Sequence, residues 1–175
     1  MGDGGQIFHT GDLFTWLPAA SPGTSANLNG IFQLNNVFVA TGAGGTLMSS
    51  PDGDTWTPLP SNTLNTLRGA AFCGLCTSVQ YVAVGDAGTI ITSSDNRVTW
   101  QTVPPPFAQD LTSVTVGGAS GTRFLAVGRG GAVAYMDDGG PWKTATSGSA
   151  NLNKVLFAPG MYISVGDAGA NAVSR

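Results

Sequence analysis

The sequence predicts an all-β chain built from about four repeats of one four-stranded sheet. Two observations carry this expectation. Trp16, Trp56, Trp100 and Trp142 stand 40, 44 and 42 residues apart, and Gly2, Gly42, Gly85, Gly128 and Gly166 keep step at intervals of 40, 43, 43 and 38. Between them lie short runs rich in aromatic and β-branched residues, broken by Gly, Pro, Asn and Asp, with no capped stretch of helical period. A period of roughly 40 to 50 residues filled with short strands describes the blade of a β-propeller.

Each repeat reads as four strands in order. A leading leucine (Leu28, Leu67, Leu111, Leu152) opens an innermost strand, "GIFQL", "RGAAF", "TSVTV" or "KVLF". The second strand, "VFVAT", "YVAVG", "FLAVG" or "YISVG", suits a pleated, half-buried surface. Glycine then supplies the positive φ of a tight hairpin turn. A third strand ("TLMSS", "TIITSS", "AVAYM") runs into a turn containing Asp, whose carboxylate can accept backbone N–H groups two residues on. The Trp follows three to five residues later, at the fourth strand. One large ring per repeat is expected to fill the gap between neighbouring blades while its indole N–H finds a partner. Asp12, Asp52, Asp95 and Asp138 with Trp16, Trp56, Trp100 and Trp142 are therefore expected to be structural: acidic corners and blade wedges.

The strand count sets the organisation. First, second and Trp-bearing strands occur four times each, but third strands occur five times, near Ile7, Leu47, Ile90, Val133 and Ala172. A single domain over residues 1–175 is expected, with blades at about 28–59, 67–103 and 111–146 and a fourth joined from 152–175 plus 1–20. The ring then closes either by pairing of the N- and C-terminal strands or by oligomerisation, in which one copy accepts the terminal strands of another. Flanking blades carried on another polypeptide are a third arrangement.

"SSDNRVTW" (Ser93 to Trp100) resembles the Asp-box, S-x-D-x-G-x-T-W, of the BNR-like repeats in sialidase-type and sortilin-type propellers, with Arg97 where glycine is usual. "SPDGDTW" and "TGDLFTW" are one residue shorter, and "MDDGGPW" replaces the Ser and the Thr. The "AVGDAGTI" turn followed by an Asp turn and a Trp is similar to the repeats of photosystem II assembly and stability factors. The resemblance implies a propeller in which the Asp-boxes are structural; function is not carried by such boxes.

Composition bounds the chemistry. Charged residues make up only 10% of the chain and net charge is −3, with ten Asp, no Glu, and seven basic residues scattered along the sequence. No basic patch exists to neutralise phosphates, so nucleic acid is not an expected partner. The N-terminus has neither the basic start nor the apolar run of a secretory signal, and no segment is long and apolar enough to insert in a membrane. A surface poor in charge and rich in Gly, Ser, Thr, Ala and Asn suggests an extracellular or virion protein, and a virion part needs no signal. Cys73 and Cys76 lack the second half of a metal site, and His9 is the only histidine, so no metal or cofactor is expected. The pair is either a local disulfide or two free thiols.

Enzymatic readings fail on inventory. Sialidases, by resemblance, use an arginine triad and a tyrosine nucleophile activated by Glu; here Glu is lacking, and Tyr81, Tyr135 and Tyr162 all fall on strand patterns. A Ser or Cys triad would depend on His9 as base. "GDGG" and "GRGG" precede strands, so they lack the helix N-terminus that makes glycine loops bind phosphate. No catalytic residues are expected.

What remains is binding. The glycine turns, with Asp3, Asp86, Arg129 and Asp167, should emerge on one face together with the Asn-, Ser- and Pro-rich connections, one of which carries an exposed Phe107, and the Asp turns should emerge on the other. The sequence thus points to a non-enzymatic structural or adhesive module whose partner is protein or glycan. The alternatives are a client-binding protein like the photosystem II assembly factors, or a glycan-binding lectin.

Overall fold

The computed structural model describes residues 2–174, with side chains to residue 170. Its strands are β1 (Phe8–His9), β2 (Leu17–Pro18), β3 (Leu28–Leu34), β4 (Val37–Gly42), β5 (Leu47–Ser50), β6 (Thr57–Pro58), β7 (Leu67–Phe72), β8 (Tyr81–Gly85), β9 (Ile90–Ser93), β10 (Gln101–Val103), β11 (Leu111–Gly117), β12 (Arg123–Gly128), β13 (Ala132–Asp137), β14 (Lys143–Thr146), β15 (Leu152–Ala158), β16 (Met161–Gly166) and β17 (Asn171–Ser174). Three antiparallel four-stranded sheets form in chain order from β3–β6, β7–β10 and β11–β14. They are flanked by the pair β1–β2 and the triplet β15–β17. Each sheet is a propeller blade, with β3, β7, β11 and β15 innermost.

The two terminal segments do not merge into one blade. Among the described residues, β1 and β2 pair only with each other, two residues to a strand, and β17 pairs only with β16. The reason lies in the strand count: β16 offers one edge to a third strand, and β17 takes the place that β1 would need. The N-terminal segment leans instead on the β3–β6 blade, through the Gly2–Leu28 and Ser21–Thr55 bridges.

The tight turn expected after each second strand is a three-residue 3₁₀ turn: Asp3–Gly5, Ala43–Gly45, Asp86–Gly88, Arg129–Gly131 and Asp167–Gly169. The middle residue is left-handed, at φ 62° in Gly44 and φ 53° in Ala87. Glycine is required just before the turn for another reason. A Cβ on Gly85 or Gly128 would overlap the carbonyl oxygen of Thr66 or Asp110, at the start of the paired first strand.

The core lies in the seams between blades rather than at one centre. Trp100 packs with Leu34, Val39 and Leu47 of the preceding blade and with Leu67, Tyr81 and Ile91 of its own. Trp142 leans on the cluster of Cys73, Cys76, Val82, Phe124 and Met136. Trp56 packs with Ala19, Leu28, Ala40 and Met48. Each indole thus fills the seam on the N-terminal side of its own blade. Trp16 differs: among the described residues no sheet packs over it, and the indole is 61% exposed rather than wedged in a seam. The indole N–H groups are less well served than expected. Trp56 Nε1 donates to the Gly53 carbonyl at 3.1 Å, whereas the buried Nε1 atoms of Trp100 and Trp142 have no partner.

Candidate functional site

Three Asp turns are built alike. The Asp12 carboxylate accepts the N–H groups of Phe14 and Thr15 at 2.9 and 2.8 Å, and Asp52 accepts those of Asp54 and Thr55 at 2.9 and 3.0 Å. Asp95 accepts the Thr99 hydroxyl and backbone N–H and the Ser93 hydroxyl. Donors that favour the charged form pull all three carboxyls down to about 2, chiefly the Thr15 and Phe14 N–H groups, the Thr55 and Asp54 N–H groups, and the Thr99 hydroxyl and N–H respectively.

Asp138 departs from this pattern. Instead of bracing its own turn, its carboxylate accepts the Thr77 N–H and hydroxyl, both at 2.9 Å, and the Ser78 N–H at 3.1 Å, all from the neighbouring blade. Met136 stands where Asp12 and Asp52 have the hydroxyl of Thr10 or Ser50, and Pro141 has no N–H to give where Thr15 and Thr55 donate theirs, so the carboxylate reaches across instead. The Thr77 loop follows a closed Cys73–Cys76 disulfide, the first of the two alternatives for that pair.

The glycine turns carry the other set of side chains. Each turn lies beside the connection that opens the next blade: a Cβ on Gly88 would overlap the Phe107 carbonyl oxygen, and one on Gly131 that of Gly148. A side chain from the next blade then clasps the turn. Asn27, Asp110 and Asn151 accept the N–H groups of Gly4, Ala87 and Gly130 at 2.9, 3.0 and 2.9 Å. At the equivalent place before Leu67 the chain has Thr66, and Asn65 bonds Thr89 of its own blade.

Charges are layered on these clasps. Arg68 forms a two-point ion pair with Asp86, its Nη2 lying 3.2 Å from Oδ2, and Arg129 Nε lies 3.3 Å from Asp110 Oδ2. Asp167 accepts amide N–H groups of Asn151 at 2.9 Å and Asn153 at 2.7 Å, which hold its carboxyl below the usual range. Asp3 is exposed at the first turn. Phe107 is half-buried against the seam of the β7–β10 and β11–β14 blades rather than exposed, because its ring finds apolar partners in that cluster. Asp86, Arg129, Asp167 and Asp3 sit at equivalent positions of successive blades and so share one face, with the Phe107 backbone beside the Asp86 turn. Arg68, Asp110 and Asn151 carry no signal in the sequence; their partners lie 16 to 23 residues away, across a strand pair or a seam.

Chemically, this face offers fixed carboxylates, guanidinium groups and amides to a polar ligand. His9 Nε2 lies 3.5 Å from Asp54 Oδ1 away from this face, and no group of three His, Cys, Asp or Glu among the described residues could hold a metal. Among the described residues no helix is long and apolar enough to cross a membrane.

No family model matches the sequence, and no curated protein matches it. The fold has solved counterparts. A YCF48 bound to a D1 peptide is 19% identical at a TM-score of 0.69, with 97% of this chain aligned to 56% of that one, and YCF48 from Cyanidioschyzon merolae is 15% identical at 0.73, over 99% and 62%. Virginiamycin B lyase from Staphylococcus aureus is 11% identical at 0.72, over 98% and 63%. The computationally designed Ika4 protein is 15% identical at 0.64, over 90% of this chain and 96% of that one. The chain spans about three fifths of the length of the three natural proteins, and what it shares with them is the β-propeller architecture.

Proposed function

We propose that this chain is a non-enzymatic propeller module that binds a segment of another protein on its glycine-turn face. The observation that carries the reading is the row of clasped charges there: Asp86 with Arg68, Arg129 with Asp110, and Asp167 with two asparagine amides. Because each group is already held by a neighbour, it loses little further side-chain entropy when a ligand docks. Donors and acceptors alternate along the face, which suits a polar, mixed-charge peptide better than a uniformly charged partner. The fold likeness to a propeller bound to a peptide supports this client-binding reading over a structural or adhesive one. A virion or extracellular setting has only the charge-poor composition in its favour.

The test is binding of the 175-residue chain to an immobilised array of mixed-charge 15-residue peptides. Peptides retained by the wild-type chain should lose about tenfold or more in affinity with Arg129→Glu or Asp86→Lys. Retention unchanged by both substitutions would move the site off this face. Turnover of an aryl glycoside or sialoside, abolished by Asp86→Asn or Asp167→Asn, would overturn the non-enzymatic reading.

A further inference from the structure

The seam between the β7–β10 and β11–β14 blades carries the chain's only two cysteines, Cys73 and Cys76, joined in a bridge that closes the start of the β7–β8 hairpin. This hairpin lies at the end of the blades opposite the glycine turns. The sulfurs lean on the apolar cluster of Phe124, Met136 and Trp142, while Leu75, at the crest of the bridged loop, is 70% exposed. The bridge therefore sits one residue beneath the water. Because it joins residues only three apart, it removes less entropy from the unfolded chain than a bridge spanning a long loop, so little of the folding free energy holds it shut.

The surroundings serve both states of the pair. Cys73 Sγ lies 3.6 Å from the Gly121 carbonyl oxygen and Cys76 Sγ 3.6 Å from that of Thr122, both on the β11–β12 hairpin of the next blade. A disulfide has no proton to give to either oxygen. Two thiols do, at a distance that suits an S–H donor. Bonds made only by the dithiol form stabilise it and make the bridge easier to open. The bridge in turn sets the course of the residues that follow it: the Thr77 N–H and hydroxyl and the Ser78 N–H all reach the Asp138 carboxylate, and Gly139 is pressed against the Ser78 side chain. Of the four Asp-turn carboxylates, Asp138 is the one that spans a seam.

We propose that Cys73 and Cys76 form a reversible redox latch on this seam: closed, it presents Thr77 and Ser78 to Asp138; opened by a dithiol reductant, it releases them while the two thiols bond the Gly121 and Thr122 carbonyls. A thiolate of the reductant attacks the less deeply buried Cys76 sulfur, the S–S bond breaks, and Cys73 leaves as a thiolate that takes up a proton. The reductant's second thiol, giving up its own proton, then displaces Cys76 from the mixed disulfide. Two electrons and two protons pass to the cysteine pair, and the reductant departs as a disulfide. Residues 73–76 regain freedom, the donors of Thr77 and Ser78 lose their alignment, and the clasp on Asp138 loosens while the apolar cluster stays packed. The latch does not rest on the peptide-binding reading, which concerns the other end of the blades.

The experiment equilibrates the native chain with graded dithiothreitol, traps free thiols by alkylation and counts them by mass. The chain should pass from no free thiol to two, and back again once the reductant is removed, with far-UV circular dichroism unchanged. Thermal melts of both forms, for wild type and Asp138→Ala, separate a latch from a plain crosslink. Reduction should lower the wild-type melting temperature by about 2–4 °C more than that of Asp138→Ala, the shift expected when one modest polar contact is lost in a chain of this size. Carbon-13 NMR should show the Asp138 carboxyl, held below the usual range by the Thr77 and Ser78 N–H groups, titrating nearer that range after reduction. Equal drops in the two chains, or an Asp138 carboxyl unmoved by reduction, would overturn the proposal. So would a bridge that resists dithiothreitol until the chain melts, or a reduced chain that has lost its circular dichroism.

Discussion

The Arg97 guanidinium lies 4.7 Å over the ring of Tyr81 and donates to its hydroxyl. Tyr81 is fully buried, and its hydroxyl also donates to Asn96 Oδ1 at 2.9 Å and accepts from Asn35 Nδ2 at 3.3 Å. Asn35 belongs to the preceding blade, so one phenol joins an Asp turn to its neighbour's β3–β4 hairpin. Arg97 pays for this with a left-handed backbone, φ 73°.

Arg97→Ala keeps the backbone strain and removes the cap on Tyr81. It should cost about 1–2 kcal/mol, the sum of a partly desolvated cation–π contact and a hydrogen bond. Arg97→Gly should cost less, because glycine relieves the strain. Urea unfolding of both variants checks this; equal losses would mean that the backbone, not the cap, sets the effect.

Trp100→Ala should cost about 3–5 kcal/mol, as for other buried aromatic truncations. Trp16→Ala, at the same repeat position but exposed, should change stability by no more than about 0.5 kcal/mol. Paired thermal melts at low concentration test the contrast, which depends on seam occupancy and not on the motif.

The Asp turns make stability depend on acid pH. In Asp12, Asp52 and Asp95 the folded carboxyl sits near 2 against an ordinary 3.8, so the folded state binds protons less readily than the unfolded chain. The resulting stabilisation is complete above about pH 4 and is lost as pH falls through 2. Asp52→Asn should lower the melting temperature at pH 6, and the gap to wild type should close toward pH 2. A gap that stays constant down to pH 2 would contradict the charge-assisted turn.

Ala87 and Ala168 hold left-handed φ values of 53° and 54° where the equivalent turns use Gly44 and Gly130. Ala87→Gly should stabilise by about 1 kcal/mol, relief of the left-handed Cβ clash outweighing glycine's greater unfolded entropy. Denaturant midpoints measured with an unchanged m-value would show the gain.

The strand order is legible in the sequence because it is written locally: period-two runs, a glycine where Thr66 or Asp110 comes close, and an Asp followed by N–H donors two and three residues on. The surplus third strand, five against four of each other kind, is likewise countable from the residues alone. What the sequence does not disclose depends on neighbours. Trp16 carries the same motif as Trp100, yet whether an indole is a wedge depends on a sheet standing opposite. Asp138 resembles its three counterparts along the chain, but its donors, Thr77 and Ser78, lie some 60 residues away. The clasps by Asp110 and Asn151 are hidden for the same reason, since an Asx side chain before a leucine has no local signature of the turn it will hold. Phe107 misleads because a loop position suggests exposure, whereas its ring belongs to a seam.

The seams that precede the β3–β6 and β11–β14 blades repeat one joint: an indole on one side, a turn glycine pressed against the next connection, and an Asx side chain, Asn27 or Asp110, closing over it. A newly duplicated copy of the unit would therefore arrive with both halves of the joint already compatible with its flanks. Such an array can gain or shed members by unequal recombination without inventing new packing, and its length becomes something evolution can adjust one step at a time.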